Sequence, residues 1–196
     1  MAVLSLNHAS FLAISVLLLF VCVVANEPAL ANGDFPLGQK SIYLKDNKSV
    51  EYPIGGVDFS RAADETITYT LHIDTERFTD FFLSMKEMKC LEGKEIWCFI
   101  PYPYQHPRSV SRGDLRWLEH DLLFMFKTPS EFGANLWNGI YYDMTIDNGA
   151  IHGTARAVDL NAISSPPDDL TTPPYGEFDI EDLEPAARWL PYLEIR

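Results

Sequence analysis

Four histidines stand after an apolar leader, His72, His106, His120 and His152, and they are the side chains best suited to moving protons near neutral pH. Glu119-His120-Asp121 sets one imidazole between two acids. Adjacent residues point to opposite faces of a strand, and on a helix i and i+1 do not face each other, so the three do not form a unit by themselves. The spacing predicts a solvated charged stretch. None of the histidines falls in H-x-x-x-H or H-E-x-x-H, and nothing in the spacing unites His72 with His152, so no metal and no cofactor are expected. The string Asp179-Ile180-Glu181-Asp182-Leu183-Glu184 lacks the D-x-D-x-D-G order of a calcium loop. G-x-S-x-G is absent, and Ser60, Ser84, Ser109, Ser111 and Ser130 lie in unrelated contexts, which disfavours a serine hydrolase. Carboxylates are plentiful, and two at the right separation cleave a glycoside, so a hydrolase using carboxylates with His120 or His72 stays open as the alternative function.

Aromatic residues offer a different chemistry. Trp97, Tyr102, Tyr104, Trp137, Tyr141 and Tyr142, with Trp117 beside them, combine large apolar area with polar tips. Tyr102 and Tyr104 sit in Pro-Tyr-Pro-Tyr-Gln-His-Pro at 101–107, whose prolines hold an extended, poorly paired backbone. The first six are the candidate ligand-binding residues, lining the mouth of a pocket. Against this stands core packing for Tyr141 or Tyr142, with the prolines blunting a sheet edge.

Positioning such residues requires a scaffold. Cys90 and Cys98 are expected to pair: a turn centred on Lys94 sets Glu92 opposite Ile96, Leu91 opposite Trp97 and Cys90 opposite Cys98. A redox role would want C-x-x-C, which is absent. Residues 66–74 alternate Ile67, Tyr69, Leu71 and Ile73 with polar neighbours, as a half-buried strand does. Phe78, Phe81, Phe82 and Met85 follow the i, i+3, i+4, i+7 rule and predict a short helix capped by Asp74 or Thr75. Short apolar runs at 42–44 and 50–54 suit edge strands between turn residues. At 114–128, Leu115, Leu118 and Leu122 suit a helix, while 122–126 reads as a buried strand before Thr128-Pro129. Asp147-Asn148-Gly149 between two β-rich runs is a hairpin signal. Beyond Asn161, paired prolines and acids predict an extended tail with Trp189, Leu190, Leu193 and Ile195 as its anchor.

The fold class expected is mainly β, an antiparallel β-barrel or strongly bent sheet of lipocalin-like architecture with one short helix and an extended C-terminal tail; the alternative is an open α+β sheet. Domain organisation follows as a signal peptide at 1–31, a β-rich domain at 32–163 and a Pro-rich acidic tail at 164–196. Residues 11–25, FLAISVLLLFVCVVA, have the length of a secretory apolar segment and fall short of a bilayer span, with cleavage favoured after Ala31 over Ala25. Secreted or periplasmic location is expected, without stable membrane insertion once the leader is removed. Asn47-Lys48-Ser49 fits a glycosylation acceptor. With 28 acidic against 15 basic side chains, a net charge of -13 and a pI near 4.6, nucleic acid is excluded as a partner. The function expected is that of an exported, noncatalytic binding module for a small apolar or aromatic ligand, or for a basic protein partner.

Overall fold

Alternating apolar and polar residues recur along the chain, and in the computed structural model, which describes residues 35–83 and 86–196, they build one antiparallel sheet. The leader, both cleavage positions and Met85 lie outside the described residues. The strands are β1 (Gly38–Lys45), β2 (Glu51–Arg61), β3 (Ile67–Ile73), β4 (Thr79–Leu83), β5 (Lys86–Glu92), β6 (Ile96–Phe99), β7 (Ser109–Val110), β8 (Phe124–Lys127), β9 (Gly139–Asp147), β10 (Ala150–Val158) and β11 (Tyr192–Ile195). Their order across the sheet is β4-β5-β6-β8-β9-β10-β11-β1-β2-β3-β7. The sheet does not close on itself, so the fold is mainly antiparallel β with β4 and β7 at its ends, and not a sealed barrel. Among the described residues no helix is long and apolar enough to cross a membrane.

Two hairpins form as the turn chemistry requires. Asn148 and Gly149 take φ of 49° and 76°, the left-handed pair of a two-residue turn that matches strand twist, and β9 and β10 pair from Asp147–Ala150 to Gly139–Val158. In the β5–β6 hairpin, Cys90 opposes Cys98, Leu91 opposes Trp97 and Glu92 opposes Ile96, and the cysteines are joined as a disulfide with Cα atoms 3.9 Å apart.

Three elements depart from expectation. The helix read from Phe78, Phe81 and Phe82 is a 3-10 turn at Thr75–Arg77 followed by β4, with Phe78 buried against Phe99 and Phe82 76% exposed. An isolated turn of helix is costly to nucleate, whereas pairing Thr79 with Cys90 through Leu83 with Lys86 satisfies the backbone against a hairpin already held by its disulfide. The single α-helix among the described residues is α1 (Arg116–Asp121), which uses the leucine spacing at 115, 118 and 122 before the chain extends into β8. The runs at 42–44 and 50–54 are interior rather than edge: β1 lies between β11 and β2, and β2 between β1 and β3. Pro53 and Gly55 are absorbed by a register shift at Ile42/Tyr43, where Gly55 takes φ of 150° and a Cβ would strike the His72 carbonyl.

The proline-rich segment runs through 3-10 turns at Leu160–Ile163, Glu177–Asp179 and Pro185–Ala187, touching β10 by an Ala157–Glu181 bridge. It ends deeper than an anchor. Strand β11 inserts in mid-sheet, Ile195 opposing both Ile151 and Ile42, and Trp189, Leu190, Leu193 and Ile195 are all buried. Asn47 Nδ2, the atom a glycan would take, donates to the carbonyls of Pro185 (3.1 Å) and Arg188 (2.9 Å).

Candidate functional site

The short helix α1 gathers three buried titratable side chains. Leu115, Leu118 and Leu122 fix α1 on the core, and Asp114 secures its start by accepting from the Arg116 backbone N–H (3.1 Å) and its guanidinium (2.9 and 2.6 Å). The three residues expected in solvent are instead buried: Glu119, His120 and Asp121 are 4%, 0% and 5% exposed. Neighbours on a helix do not meet each other, but each can meet a different element. Glu119 turns to β9, accepting from the Tyr141 hydroxyl and, at 2.7 Å, from the Met144 N–H. His120 turns to the C-terminal segment: its Nδ1–H donates to the Arg116 carbonyl (2.6 Å), its Nε2 accepts from the Tyr175 N–H (3.1 Å), and the two rings stack at 5.1 Å. Asp121 accepts from the Tyr69 hydroxyl of β3 (2.9 Å) and from His106 Nε2 (3.0 Å). His106 Nδ1 accepts from the Arg108 N–H (3.2 Å), and its ring stacks on Trp117 at 4.6 Å.

Burial sets the electrostatics. It pushes the Glu119 carboxyl up to about 7, the donated hydrogen bonds of Tyr141 and Met144 only partly opposing it. It drives His120 down to about 4, so this imidazole is neutral, with its tautomer fixed by its two backbone partners. The Tyr69 and Tyr141 hydroxyls are raised above their ordinary range by burial and by the carboxylates they serve.

Beside α1 opens a cavity of about 510 Å³ between β9 and the segment that begins at Tyr175. Tyr141 and Tyr175 supply rings, Ile146 and Ile180 supply apolar wall, and Glu119 and Arg156 bring charge. Arg156 pairs through Nη1 with Asp182 at 2.8 Å, leaving its Nε buried without a partner among the described residues. The groups around this cavity can orient and hold a small molecule. Among the described residues no group of three His, Cys, Asp or Glu side chains is arranged to hold a metal.

The six aromatic candidates are dispersed. Tyr141 lines this cavity. Tyr102 and Tyr104, 5.5 Å apart, line a separate cleft of about 420 Å³ with His106 and Arg108, Tyr102 itself packing against Trp117 and His120. Trp137 is 71% exposed at a third cleft. Trp97 and Tyr142 are fully buried with ring centroids 6.4 Å apart, Tyr142 donating to the Leu190 carbonyl (2.8 Å). Of the histidines, His72 is an exposed partner of Asp58 (3.3 Å) on β3, four strands across the sheet from exposed His152 on β10. Tyr175, Arg156 and the buried Glu119 were not legible as site residues; the one available signal was an acid–His–acid run flanked by leucines. Comparison of the chain with models of protein families, with curated proteins and with solved structures found no match.

Proposed function

We propose that the chain is an exported, noncatalytic binding module whose ligand is a small apolar or aromatic molecule seated in the cavity beside α1. One observation carries this reading: the two imidazoles packed around α1, His106 and His120, are committed within the protein. His120 and His106 have both ring nitrogens engaged, and Glu119 and Asp121 have both carboxylate oxygens engaged. A general base needs a free lone pair within reach of the proton it takes, and neither imidazole offers one. What stays open is a space walled in part by the Tyr141 and Tyr175 rings and the Ile146 and Ile180 side chains, against which an apolar or aromatic group can pack, with charged groups such as Arg116, Asp143 and Arg156 around it to orient a polar end. The Cys90–Cys98 pair fits an oxidising compartment, which supports export.

A hydrolase is the second reading, favoured by the Glu119 carboxyl that lines the cavity with its proton held to about 7, as a general acid requires. A thermal-shift screen of ring-bearing small molecules separates the two. A ligand at 100 times its Kd stabilises by about 2.7 kcal/mol. Thr145→Trp, which fills the cavity from an exposed position on β9, is expected to abolish that shift and leave the unliganded melting temperature unchanged. Absence of any stabilising small molecule overturns the ligand and leaves the basic protein partner. Turnover of a substrate that Glu119→Gln abolishes without unfolding establishes the hydrolase instead.

A further inference from the structure

The segment that walls the cavity beside α1 has a second side. Tyr175 also lines a separate cleft of about 330 Å³, together with Trp137, Phe178 and the acids Asp159, Asp179 and Glu181. Trp137 is 71% and Phe178 97% exposed, although large aromatic rings are what folding ordinarily removes from water. Both are held from below. Phe178 rides the 3-10 turn Glu177–Asp179, closed by the Asp179 carboxylate accepting from the Gly176 N–H (2.9 Å), and Glu181 is bridged to Ala157 by backbone hydrogen bonds of 2.9 and 3.0 Å. The loop of Trp137 is tied by the Leu160 N–H donating to the Leu136 carbonyl (2.9 Å), and the Trp137 N–H donates to Asn135 Oδ1 (3.2 Å). These bonds fix the backbone from which both rings project, which lowers the cost of ordering the site on binding.

The charge around them has one sign. No Lys, Arg or His lines the cleft, and among the described residues no cation pairs with Asp159, Asp179 or Glu181. An aromatic face attracts a cation through its quadrupole, and a nearby carboxylate adds direct attraction; a neutral apolar guest would gain nothing from the acids, and an anion would be repelled. We infer that the cleft between Trp137 and Phe178 is a binding site for a small organic cation, an alkylated ammonium compound whose methyl groups meet the rings while its charge faces the carboxylates. The site is distinct from the cavity beside α1 and stands whether or not that cavity is occupied.

Trp137 supplies the readout, because Trp97, Trp117 and Trp189 are 0%, 6% and 6% exposed and answer little to a surface ligand. Titrating the mature protein with choline chloride at constant ionic strength is expected to change its tryptophan fluorescence saturably. The uncharged alcohol in which carbon replaces the quaternary nitrogen is expected to give no saturable change. Phe178→Ala should raise the Kd for choline by about fivefold, the scale of one exposed cation–π contact, and Glu181→Gln should raise it at least about twofold. Both residues are exposed, so both variants should keep the parent melting temperature. Saturable choline binding that both substitutions weaken supports the site. No saturable change up to the solubility limit, equal binding of the uncharged alcohol, or a Kd indifferent to Phe178→Ala overturns it.

Discussion

Two buried glutamates, Glu95 in the β5–β6 turn and Glu119 in α1, have nearly the same exposure, 8% and 4%, and opposite surroundings. Glu95 accepts from Trp97 Nε1 (2.9 Å) and from the Trp189 N–H (2.8 Å), and the Arg188 guanidinium stands 2.8 Å from its other oxygen at ion-pair distance. Arg188 lies at the same time over the Phe126 ring, 4.0 Å from its centroid. Glu119 has neutral donors, a tyrosine hydroxyl and a backbone N–H. An acid buried with a cation behaves as a clasp: Glu95 fastens the C-terminal segment to a hairpin 94 residues earlier. An acid buried with neutral donors keeps its proton in reach near neutrality, as Glu119 does at about 7. Burial raises the Glu119 carboxyl and its neutral donors only partly oppose it, whereas Glu95 meets a guanidinium that ties two distant segments together.

Breaking the clasp should have the largest effect. The Trp189 ring packs edge-on against Tyr52 at 5.3 Å and over Gly93, where a Cβ would collide with it. Trp189→Ala is expected to destabilise the protein by about 3–5 kcal/mol in urea unfolding at pH 7. An unchanged midpoint would place this end of the chain outside the core.

Glu95→Gln tests the same clasp by charge alone. It leaves Arg188 with a side chain only 20% exposed and no counter-charge, and should cost about 3 kcal/mol, the lower end for a broken buried pair. Glu119→Gln removes a charge that burial already opposes, so at pH 7 it should be neutral or stabilising. A greater loss at Glu119 than at Glu95 reverses the comparison.

The clasp was half legible in the sequence, the α1 cluster hardly at all. Opposition of Cys90 to Cys98 followed from counting outward from Lys94, because a hairpin register is a local property of its turn, and the burial of Trp189, Leu190, Leu193 and Ile195 followed from apolarity. That Tyr192–Ile195 pairs with both β10 and β1 could not be read, since its partners lie far off in the chain. The helix expected from Phe78, Phe81 and Phe82 fails over 78–83 for the same cause: the i, i+3, i+4 spacing of three phenylalanines is real, but a cross-strand partner overrode it. Glu119-His120-Asp121 was misread because polarity was taken for exposure. Its actual environment depends on Tyr69, His106, Tyr141 and Tyr175, four residues from four separate stretches whose convergence no local pattern encodes.

The effect smallest at any single pH unit is a pair of opposed pH slopes within α1. Glu119 is raised from an ordinary 4.5 to about 7, so the folded state favours its protonated form; the stability this contributes is complete below pH 4.5 and is lost as pH rises to about 7. His120 is lowered from 6.5 to about 4, so the folded state favours the neutral ring; its contribution is complete above pH 6.5 and is lost as pH falls to about 4. Between pH 4.5 and 6.5 the two losses run in opposite directions and offset each other. Single substitutions uncover them. Relative to the parent, Glu119→Gln should gain stability by about 1.4 kcal/mol per pH unit as pH rises through this window, and His120→Gln should gain by the same slope as pH falls. Urea midpoints at three pH values for the parent and both variants provide the measurement, and taking differences cancels every other titrating group. Variant curves that run parallel to the parent would show that neither side chain is held off its ordinary ionisation by burial.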